Sequence, residues 1–260
     1  MKITALLENT SHTDGMLTEH GLSLYIETGE CNILFDMGQT DAFYENAKTL
    51  GIDLSRVDIA VLSHGHYDHG GGLAKFLEIN SRAKVYMRKD AFLPYYNAKG
   101  KYIGLDTELF KEKRIVFTDN GADEYSITDG ITLFSCNSRK RYHSFGAFGL
   151  TRKAGEELIP DDFRHEHYLQ IEGEKCVVIS GCSHKGILDI TRWFAPDVLI
   201  GGFHLSKMPL GAELEDIAKK LSEQDTLYYT CHCTGTEQYE YMKKHMENLS
   251  YLSCGDSIEI

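Results

Sequence analysis

Residues 63–73 read SHGHYDHGGGL, and they follow directly on the apolar run IAVL at residues 59–62. Four side chains of the metal-ligand type fall within six positions of this run: His64, His66, Asp68 and His69. The first two imidazoles are two residues apart, so they project the same way from an extended turn. The carboxylate and the third imidazole lie where a helix begins. Packing these groups together costs free energy unless something compensates their polarity, and the run therefore predicts a site for metal ions.

The composition is that of an ordinary globular protein and does not favour a nucleic-acid-binding or membrane protein. Hydrophobic residues make up 42% of the 260 residues and charged residues 25%, which predicts a substantial core and a single domain over 1–260. The net charge of −12 disfavours binding to nucleic acid or to anionic membranes. The N-terminal residues enter a strand pattern at once, without signal-peptide features, and no run is apolar enough to span a membrane.

The seven cysteines are an odd number and are scattered along the chain. In a chain without an export signal they are expected to be reduced thiols, which indicates a cytoplasmic location. The pattern of apolar residues predicts a mixed α/β fold. Short β-type runs are predicted at 3–7, 22–26, 32–35, 58–62, 84–86, 114–117, 125–127, 131–134, 167–171, 176–179, 198–200, 226–229 and 257–260. Helices are predicted at 42–50, 71–79, 185–194, 212–222 and 235–246.

Two stretches fit neither pattern, and we interpret them as loop insertions near 88–113 and 138–165. The first is polar, aromatic and glycine-containing. The second combines basic residues such as Arg139, Lys140 and Arg141 with aromatic ones. Long ordered loops are often functional, so either a surface loop or a lid over an active site is expected here.

The run at 63–73 resembles the defining motif of the metallo-β-lactamase superfamily, and the resemblance extends over most of the chain. It implies a four-layer αββα sandwich, in which two β-sheets are flanked by helices. It also implies two divalent metal ions, with Zn²⁺ favoured and Mn²⁺ or Fe²⁺ also suitable. The stretch ILFDMG at 33–38 looks like the family strand whose aspartate orients the metal loop. The resemblance thus makes Asp36 and Asp68 the acidic residues of the catalytic site.

The remaining ligands are expected in the second half of the chain. The strand at 177–180 ends near Cys182 and His184, where the family places a ligand, and His232 in the stretch TCHCTG matches the family's last histidine. The implied first metal site is His64, His66 and His184, and the implied second site is Asp68, His69 and His232, with a bridging water. Cys182 is the alternative to His184. A rival interpretation is a separate structural zinc site formed by Cys182, His184, Cys231 and Cys233.

Further stretches resemble a subgroup of the superfamily named for a dihydropterin-methyl-ribofuranosyl-aminobenzene-phosphate synthase. They include EHGLS at 19–23, GCSH at 181–184, GGFHL at 201–205 and HCTG at 232–235. The resemblance suggests four residues as candidates for binding the substrate: His204, His20, Lys207 and Asn9.

The predicted function is hydrolysis of a small anionic ester by a metal-bound hydroxide. The substrate class would be a phosphate ester, a phosphodiester, a lactone or a thioester. One alternative is the synthase reaction that the subgroup's name implies, a transfer that forms a carbon–nitrogen bond. Another is a non-catalytic ligand-binding protein that keeps its metals. A small-molecule anion is the expected partner, without nucleic acid or membrane.

Overall fold

A computed structural model describes residues 1–260, which divide into two compact units. The first unit contains Met1–Ala122, Gly149–His167 and Ser253–Ile260, and the second contains Asp123–Phe148 and Tyr168–Leu252. Each unit is built around a seven-stranded sheet with helices packed against it, so the predicted mixed α/β class with two large sheets is confirmed. The single domain over 1–260 stays a prediction. No helix combines the length and the apolar character that crossing a membrane requires.

The sheet of the first unit is half antiparallel and half parallel. Its strands lie in the order β17 (Ser257–Glu259), β1 (Lys2–Leu7), β2 (Ser23–Glu27), β3 (Asn32–Phe35), β4 (Ile59–Val61), β5 (Lys84–Met87) and β7 (Ile115–Phe117). The pairs from β17 to β3 are antiparallel, and those from β3 to β7 are parallel. The parallel strands are short and apolar, as expected for strands covered on both faces.

The helices of the first unit are α1 (Ala42–Thr49), α2 (Tyr67–Gly70) and α3 (Leu73–Ile79). Buried side chains of α1 and α3, among them Phe43 and Phe76, pack with Leu34, Ala60 and Val85 of the parallel strands in one apolar cluster. The short helix α2 begins within the run at 63–73, so Asp68 and His69 lie on a helical turn rather than on the extended turn that carries His64 and His66.

The sheet of the second unit has the same division into parallel and antiparallel halves. Its strands lie in the order β16 (Leu249–Tyr251), β15 (Leu227–Thr230), β14 (Val198–Gly201), β13 (Cys176–Ser180), β12 (Tyr168–Glu172), β9 (Ile131–Phe134) and β8 (Glu124–Thr128). The pairs from β16 to β13 are parallel and those from β13 to β8 antiparallel. The helices are α4 (Ile187–Phe194), α5 (Ala212–Ser222) and α6 (Thr236–Lys243).

The periodicity of α5 shows why these helices form. The apolar positions 214, 217, 218 and 221 fall on one face of the helix at the spacing i, i+3, i+4, i+7, and all four side chains are buried. Acidic residues lie in the first turn and lysines in the last, where they complement the helix dipole. The predicted bounds of this helix are confirmed.

The two segments predicted as loop insertions contain short strands that the sequence pattern missed. The strands β6 (Tyr95–Tyr96), β10 (Thr151–Ala154) and β11 (Glu157–Pro160) form a three-stranded sheet in the first unit. Thr151 pairs with Tyr96 across it. The description of both segments as loops is therefore wrong in part. The pattern gave no signal for β10 and β11, because none of their residues is buried and neither strand shows apolar alternation. The strand β16 was also missed.

Gly201 shows how tightly the parallel strands of the second unit are joined. It has φ +132, and a Cβ atom there would lie 1.7 Å from the carbonyl oxygen of Ser180 on β13. We predict that Gly201→Ala lowers the free energy of unfolding by about 3 kcal/mol or more, because it adds a clash and backbone strain. Urea denaturation measures this.

Gly173→Ala is the matched control, because a Cβ atom there would meet nothing closer than 4.0 Å. It should change the free energy of unfolding by no more than about 0.5 kcal/mol. Equal stability of the two variants would contradict the close approach of β13 and β14.

Candidate metal centre

In the first unit, the candidate ligands lie at the carboxyl ends of two neighbouring parallel strands. Phe35 and Val61 are partners in the register of β3 and β4, so the residues that follow them meet at one edge of the sheet. Asp36 follows β3, and the run at 63–69 follows β4. The carboxyl ends of parallel strands are the usual place for ligand sites in such sheets, because the loops that leave them converge.

Glycine makes the turn of the metal-type run possible. A Cβ atom on Gly65 would lie 2.1 Å from the carbonyl oxygen of Ala91, so only glycine lets the turn pass this backbone. The helix α2 then begins at Tyr67. It can pack closely on the loop after β3 because a Cβ atom on Gly71 would lie 2.2 Å from the carbonyl oxygen of Gln39.

Three imidazoles of the run pack against one another in the interior. The ring of His64 lies 4.6 Å from that of His66 and 4.1 Å from that of His69, and all three side chains are buried. Burial lowers the pKa of His64 well below its usual value, and the neighbouring His69 and His66 lower it further. Burial also lowers the pKa of His66. The rings of His64 and His66 are therefore neutral at pH 7, which is the state that binds a metal ion.

The carboxylate of Asp36 fixes the orientation of two of these rings. It accepts hydrogen bonds from the Ser63 amide and hydroxyl at 2.7 Å each, and from Nδ1 of His69 at 2.6 Å. Because the Ser63 hydroxyl donates its proton to Asp36, it accepts from Nδ1 of His64, 2.8 Å away. Both rings thus carry their proton on Nδ1 and present Nε2. Asp36 holds a left-handed backbone conformation, φ +60, to make these contacts.

Asp68 lies in the first turn of α2. The candidate His20 contacts it, and the candidate Asn9 contacts His20 in turn. Its Oδ2 is 3.2 Å from Nε2 of His20 and 4.0 Å from Nε2 of His69. The amide of Asn9 is oriented by the Gly21 N–H, so its NH₂ group faces Nδ1 of His20 at 3.3 Å. His20 therefore carries its proton on Nε2 and donates it to Asp68. The candidates Asn9 and His20 are brought to the acidic residue as a chain of hydrogen bonds.

Sequence reasoning missed a second buried carboxylate beside the run. Asp161 is fully buried, and its Oδ2 lies 3.1 Å from Nε2 of His165 and 3.7 Å from Nε2 of His66. Burial alone would raise the pKa of Asp161, but His165 and His66 hold it below its usual value. The sequence signal was the spacing of Asp161 and His165 just before the buried strand β12. The ring of His167 forms a hydrogen bond with the backbone instead, because its Nε2 lies 2.8 Å from the carbonyl oxygen of Leu62.

In the second unit, the candidate ligands follow three neighbouring parallel strands. Cys182 and His184 follow β13, His204 follows β14, and His232 and Cys233 follow β15. Three residues have positive φ values, between 49° and 58°: Ser183, His204 and His232. This is a left-handed backbone conformation that glycine adopts more readily than other residues. Three such residues at the ends of three strands indicate a functional site, because backbone strain concentrates there.

Two groups of possible ligand atoms form in this unit. Cys182, His184 and His204 bring their ligand atoms within 4.8 Å of one another, and so do Cys182, His232 and Cys233. The rings of His184 and His204 lie 4.2 Å apart. Nδ1 of His204 is buried without a hydrogen-bonding partner, a state that a metal ion would relieve. Sulfur and imidazole ligands together suit Zn²⁺.

Cys233, which the sequence predicts only as part of the rival zinc site, contacts both Cys182 and His204. Its sulfur accepts a hydrogen bond from the His204 amide at 3.3 Å, in space that a Cβ atom on Gly202 would occupy. Burial alone would raise the pKa of this thiol, but hydrogen bonds with Cys182 and His204 hold it well below its usual value. A thiolate is the form of cysteine that binds metal ions.

The candidate Lys207 is not brought to these groups by any contact. It lies exposed in the turn after His204, which is closed by the hydrogen bond from the Met208 amide to the Leu205 carbonyl at 2.8 Å. His204 is half-buried, and its ring lies 5.2 Å from that of Phe148. The segment before Phe148 is anchored to α4, because Asp189 accepts from the amides of Tyr142 and His143.

Comparisons with known proteins agree with the resemblance read from the sequence. The profile of the metallo-beta-lactamase superfamily matches residues 18–135. A protein of Methanocaldococcus jannaschii described as uncharacterized is 30% identical over 265 residues, which cover 99% of this chain and 100% of that protein. A second protein of that organism is 27% identical over 291 residues, covering 100% and 96%, and is named 7,8-dihydropterin-6-methyl-4-(beta-D-ribofuranosyl)-aminobenzene-5'-phosphate synthase.

A solved structure shows the same fold. The crystal structure of a metal-dependent hydrolase of the beta-lactamase superfamily has a TM-score of 0.83 and 30% sequence identity, with 100% of this chain and 99% of that chain covered. The predicted fold class is therefore confirmed, and so is the resemblance to the superfamily and to the synthase subgroup.

The role of Asp36 can be measured as metal affinity. We predict that Asp36→Asn weakens Zn²⁺ binding about 10–100-fold. Oδ2 of Asp36 accepts hydrogen bonds from both the Ser63 hydroxyl and Nδ1 of His69, and an NH₂ group in its place cannot accept them. Asparagine tolerates the left-handed conformation, so the backbone should be retained. Competition with a chromophoric zinc chelator gives the affinity. The exposed Asp14→Asn variant is the control, and equal affinities for the two variants would contradict this role.

Proposed function

Because the chain belongs to the metallo-β-lactamase superfamily, we propose that it is a metal-dependent hydrolase that cleaves a small anionic ester. The observation that carries the proposal is the buried cluster of three imidazoles and one carboxylate that follows β4. Burying polar groups in this way costs free energy unless something compensates their polarity. Bound cations would provide that compensation. The 30% identical crystal structure described as a metal-dependent hydrolase supports the same reaction class.

We propose two divalent cations, with Zn²⁺ favoured over Mn²⁺ and Fe²⁺ because thiols accompany the imidazoles. The proposed ligands of the first ion are His64, His66 and His184, with Cys182 as the alternative to His184. Those of the second ion are Asp68, His69 and His232. When bound, such a pair of ions lowers the pKa of a water molecule to about 7 and polarises a substrate oxygen.

The residues of the chain would supply orientation and proton transfer. Asp36 holds the His64 and His69 rings with Nε2 presented. Asp68 accepts a hydrogen bond at Oδ2 from the neutral ring of His20, which orients the carboxylate for proton transfer with the substrate or a water molecule. Asn9 fixes the His20 tautomer that donates this bond. Asp36 is thus proposed as a positioning residue and Asp68 as the catalytic one.

The segment that Asp189 anchors to α4 ends at Phe148, whose ring lies 5.2 Å from that of His204. We propose that His204 and Lys207 contribute to binding the substrate anion in this unit, and His20 and Asn9 in the first. The substrate class is a phosphate ester, a phosphodiester, a lactone or a thioester.

A panel of substrates tests the proposed reaction. Metal-free protein and protein loaded with Zn²⁺, Mn²⁺ or Fe²⁺ are assayed against one chromogenic substrate of each class. We expect turnover of at least one class only by loaded protein. Asp68→Asn should reduce kcat roughly 100-fold or more, as expected for loss of a proton-transferring carboxylate. The exposed Asp14→Asn variant is the control. No turnover by any loaded preparation would contradict a hydrolase and favour a non-catalytic metal-containing protein.

The synthase is the second candidate, because the protein with that name is 27% identical across the whole of this chain. It would make the chain a transferase that forms a carbon–nitrogen bond. Loaded protein is incubated with a dihydropterin pyrophosphate and an aminobenzene ribosyl phosphate. A coupled product seen by mass spectrometry would favour the synthase over the hydrolase.

A further inference from the structure

Three buried residues lie beside His66 in the first unit: Tyr95, and Asp161 and His165 of the segment Gly149–His167. The ring of Tyr95 stacks on that of His165 with centroids 4.1 Å apart and an angle of 25° between the planes. The Tyr95 hydroxyl donates to the carbonyl oxygen of Asp90 at 2.7 Å, which fixes the ring. Both side chains are fully buried. A segment expected to be a loop or a lid therefore contributes to the interior of the site.

The proton of His165 can be assigned from its two neighbours. The amide of Gly65 donates to Nδ1 of His165 at 2.8 Å, so Nδ1 is the acceptor. In a neutral imidazole the proton then lies on Nε2, where it is donated to Asp161 Oδ2 at 3.1 Å. Gly65 lies between His64 and His66, so His165 fixes the backbone of the turn that separates the two candidate ligands.

The carboxylate of Asp161 is held on both oxygens. Oδ1 accepts from the amide of Phe163 at 2.9 Å, while Oδ2 accepts from His165. Phe163 takes a left-handed conformation, φ 56, at the bend that this contact stabilises. Since the carboxylate cannot rotate without losing these bonds, the position of Oδ2 is set before any ligand binds.

His66 is the neighbour towards which this fixed oxygen points. Its Nε2 lies 3.7 Å from Asp161 Oδ2, which is longer than a hydrogen bond and within the range of an ion pair. A histidine that binds a metal ion through one nitrogen carries its proton on the other, and that proton is usually donated to a carboxylate or carbonyl. With Nε2 facing Asp161, the nitrogen of His66 that remains for a cation is Nδ1.

We propose that Asp161, held by His165, is a positioning residue that accepts the Nε2 proton of His66 and presents Nδ1 of that ring to a divalent cation. The inference rests on the proposed metal centre. It gives His66 the same support that Asp36 gives His69, but through the opposite ring nitrogen. The two candidate ion sites would then each contain one histidine backed by a buried carboxylate.

The test compares neighbouring aspartates in the full chain. Asp161→Asn removes the fixed acceptor, and Asp162→Asn changes an adjacent carboxylate that is 39% exposed and pairs with Arg152 and Arg164. Co²⁺ affinity is measured for both variants by competition with a chromophoric chelator. Visible spectra record the ligand geometry, and thermal unfolding of metal-free protein records folding. We expect Asp161→Asn to bind one of two ions about 10–100-fold more weakly, with an altered Co²⁺ spectrum. Asp162→Asn should match the wild type.

A second variant covers the case in which Asp161→Asn fails to fold. His165→Asn keeps an acceptor for the Gly65 amide and removes the Nε2–H that holds Asp161. It should weaken the same ion, by less than Asp161→Asn does, and shift the same absorption bands.

The outcomes separate this inference from the proposed centre. Wild-type protein that binds no Co²⁺ would overturn both. Wild-type protein that binds two ions, with Asp161→Asn indistinguishable from Asp162→Asn, would overturn the positioning role alone. Equal weakening of both ions with an unchanged Co²⁺ spectrum would also overturn it, because a general loss of packing would then be the cause.

Discussion

The Asp36 carboxylate accepts hydrogen bonds from Ser63 and His69 at the ends of two adjacent parallel strands. Through the Ser63 hydroxyl it also sets the proton position on His64. One buried anion thus decides which nitrogen two rings present. Without it, the imidazoles after β4 would be free to turn towards other partners, and the buried polarity of the run would be uncompensated.

The same geometry appears in both units. In each, the parallel half of a seven-stranded sheet ends in loops that carry histidine, cysteine or aspartate, and the antiparallel half completes the sheet. Short apolar strands place their carboxyl ends at one edge, and close contacts at Gly65 and Gly201 let the backbone pass there. Positive φ values at Asp36, Ser183, His204 and His232 show that backbone strain accompanies the candidate ligands in both units.

Local patterns were sufficient to predict the parts of the fold that depend on local chemistry. The apolar spacing of α5 and the run after β4 identified a helix and a candidate site without any knowledge of tertiary contacts. The strands β6 and β10 could not be predicted, because they are short, lack apolar alternation and pair over a long sequence separation. Asp161 was missed for a related reason: its significance depends on the distance to His66, which no spacing in the sequence encodes. Cys233 likewise gains its neighbours only from the order of β13, β14 and β15.

We propose that side chains following β4, together with others following β13 and β15, hold two divalent metal ions. Anomalous X-ray diffraction from crystals of Zn²⁺-loaded protein, recorded above and below the zinc edge, locates the bound ions. We expect two peaks, one bonded to His64 and His66 and the other to Asp68 and His69, at about 2.0–2.2 Å from the ligand atoms. The first peak would also decide between His184 and Cys182. Peaks bonded only to surface residues, or no ordered zinc in loaded protein, would rule out this dinuclear centre.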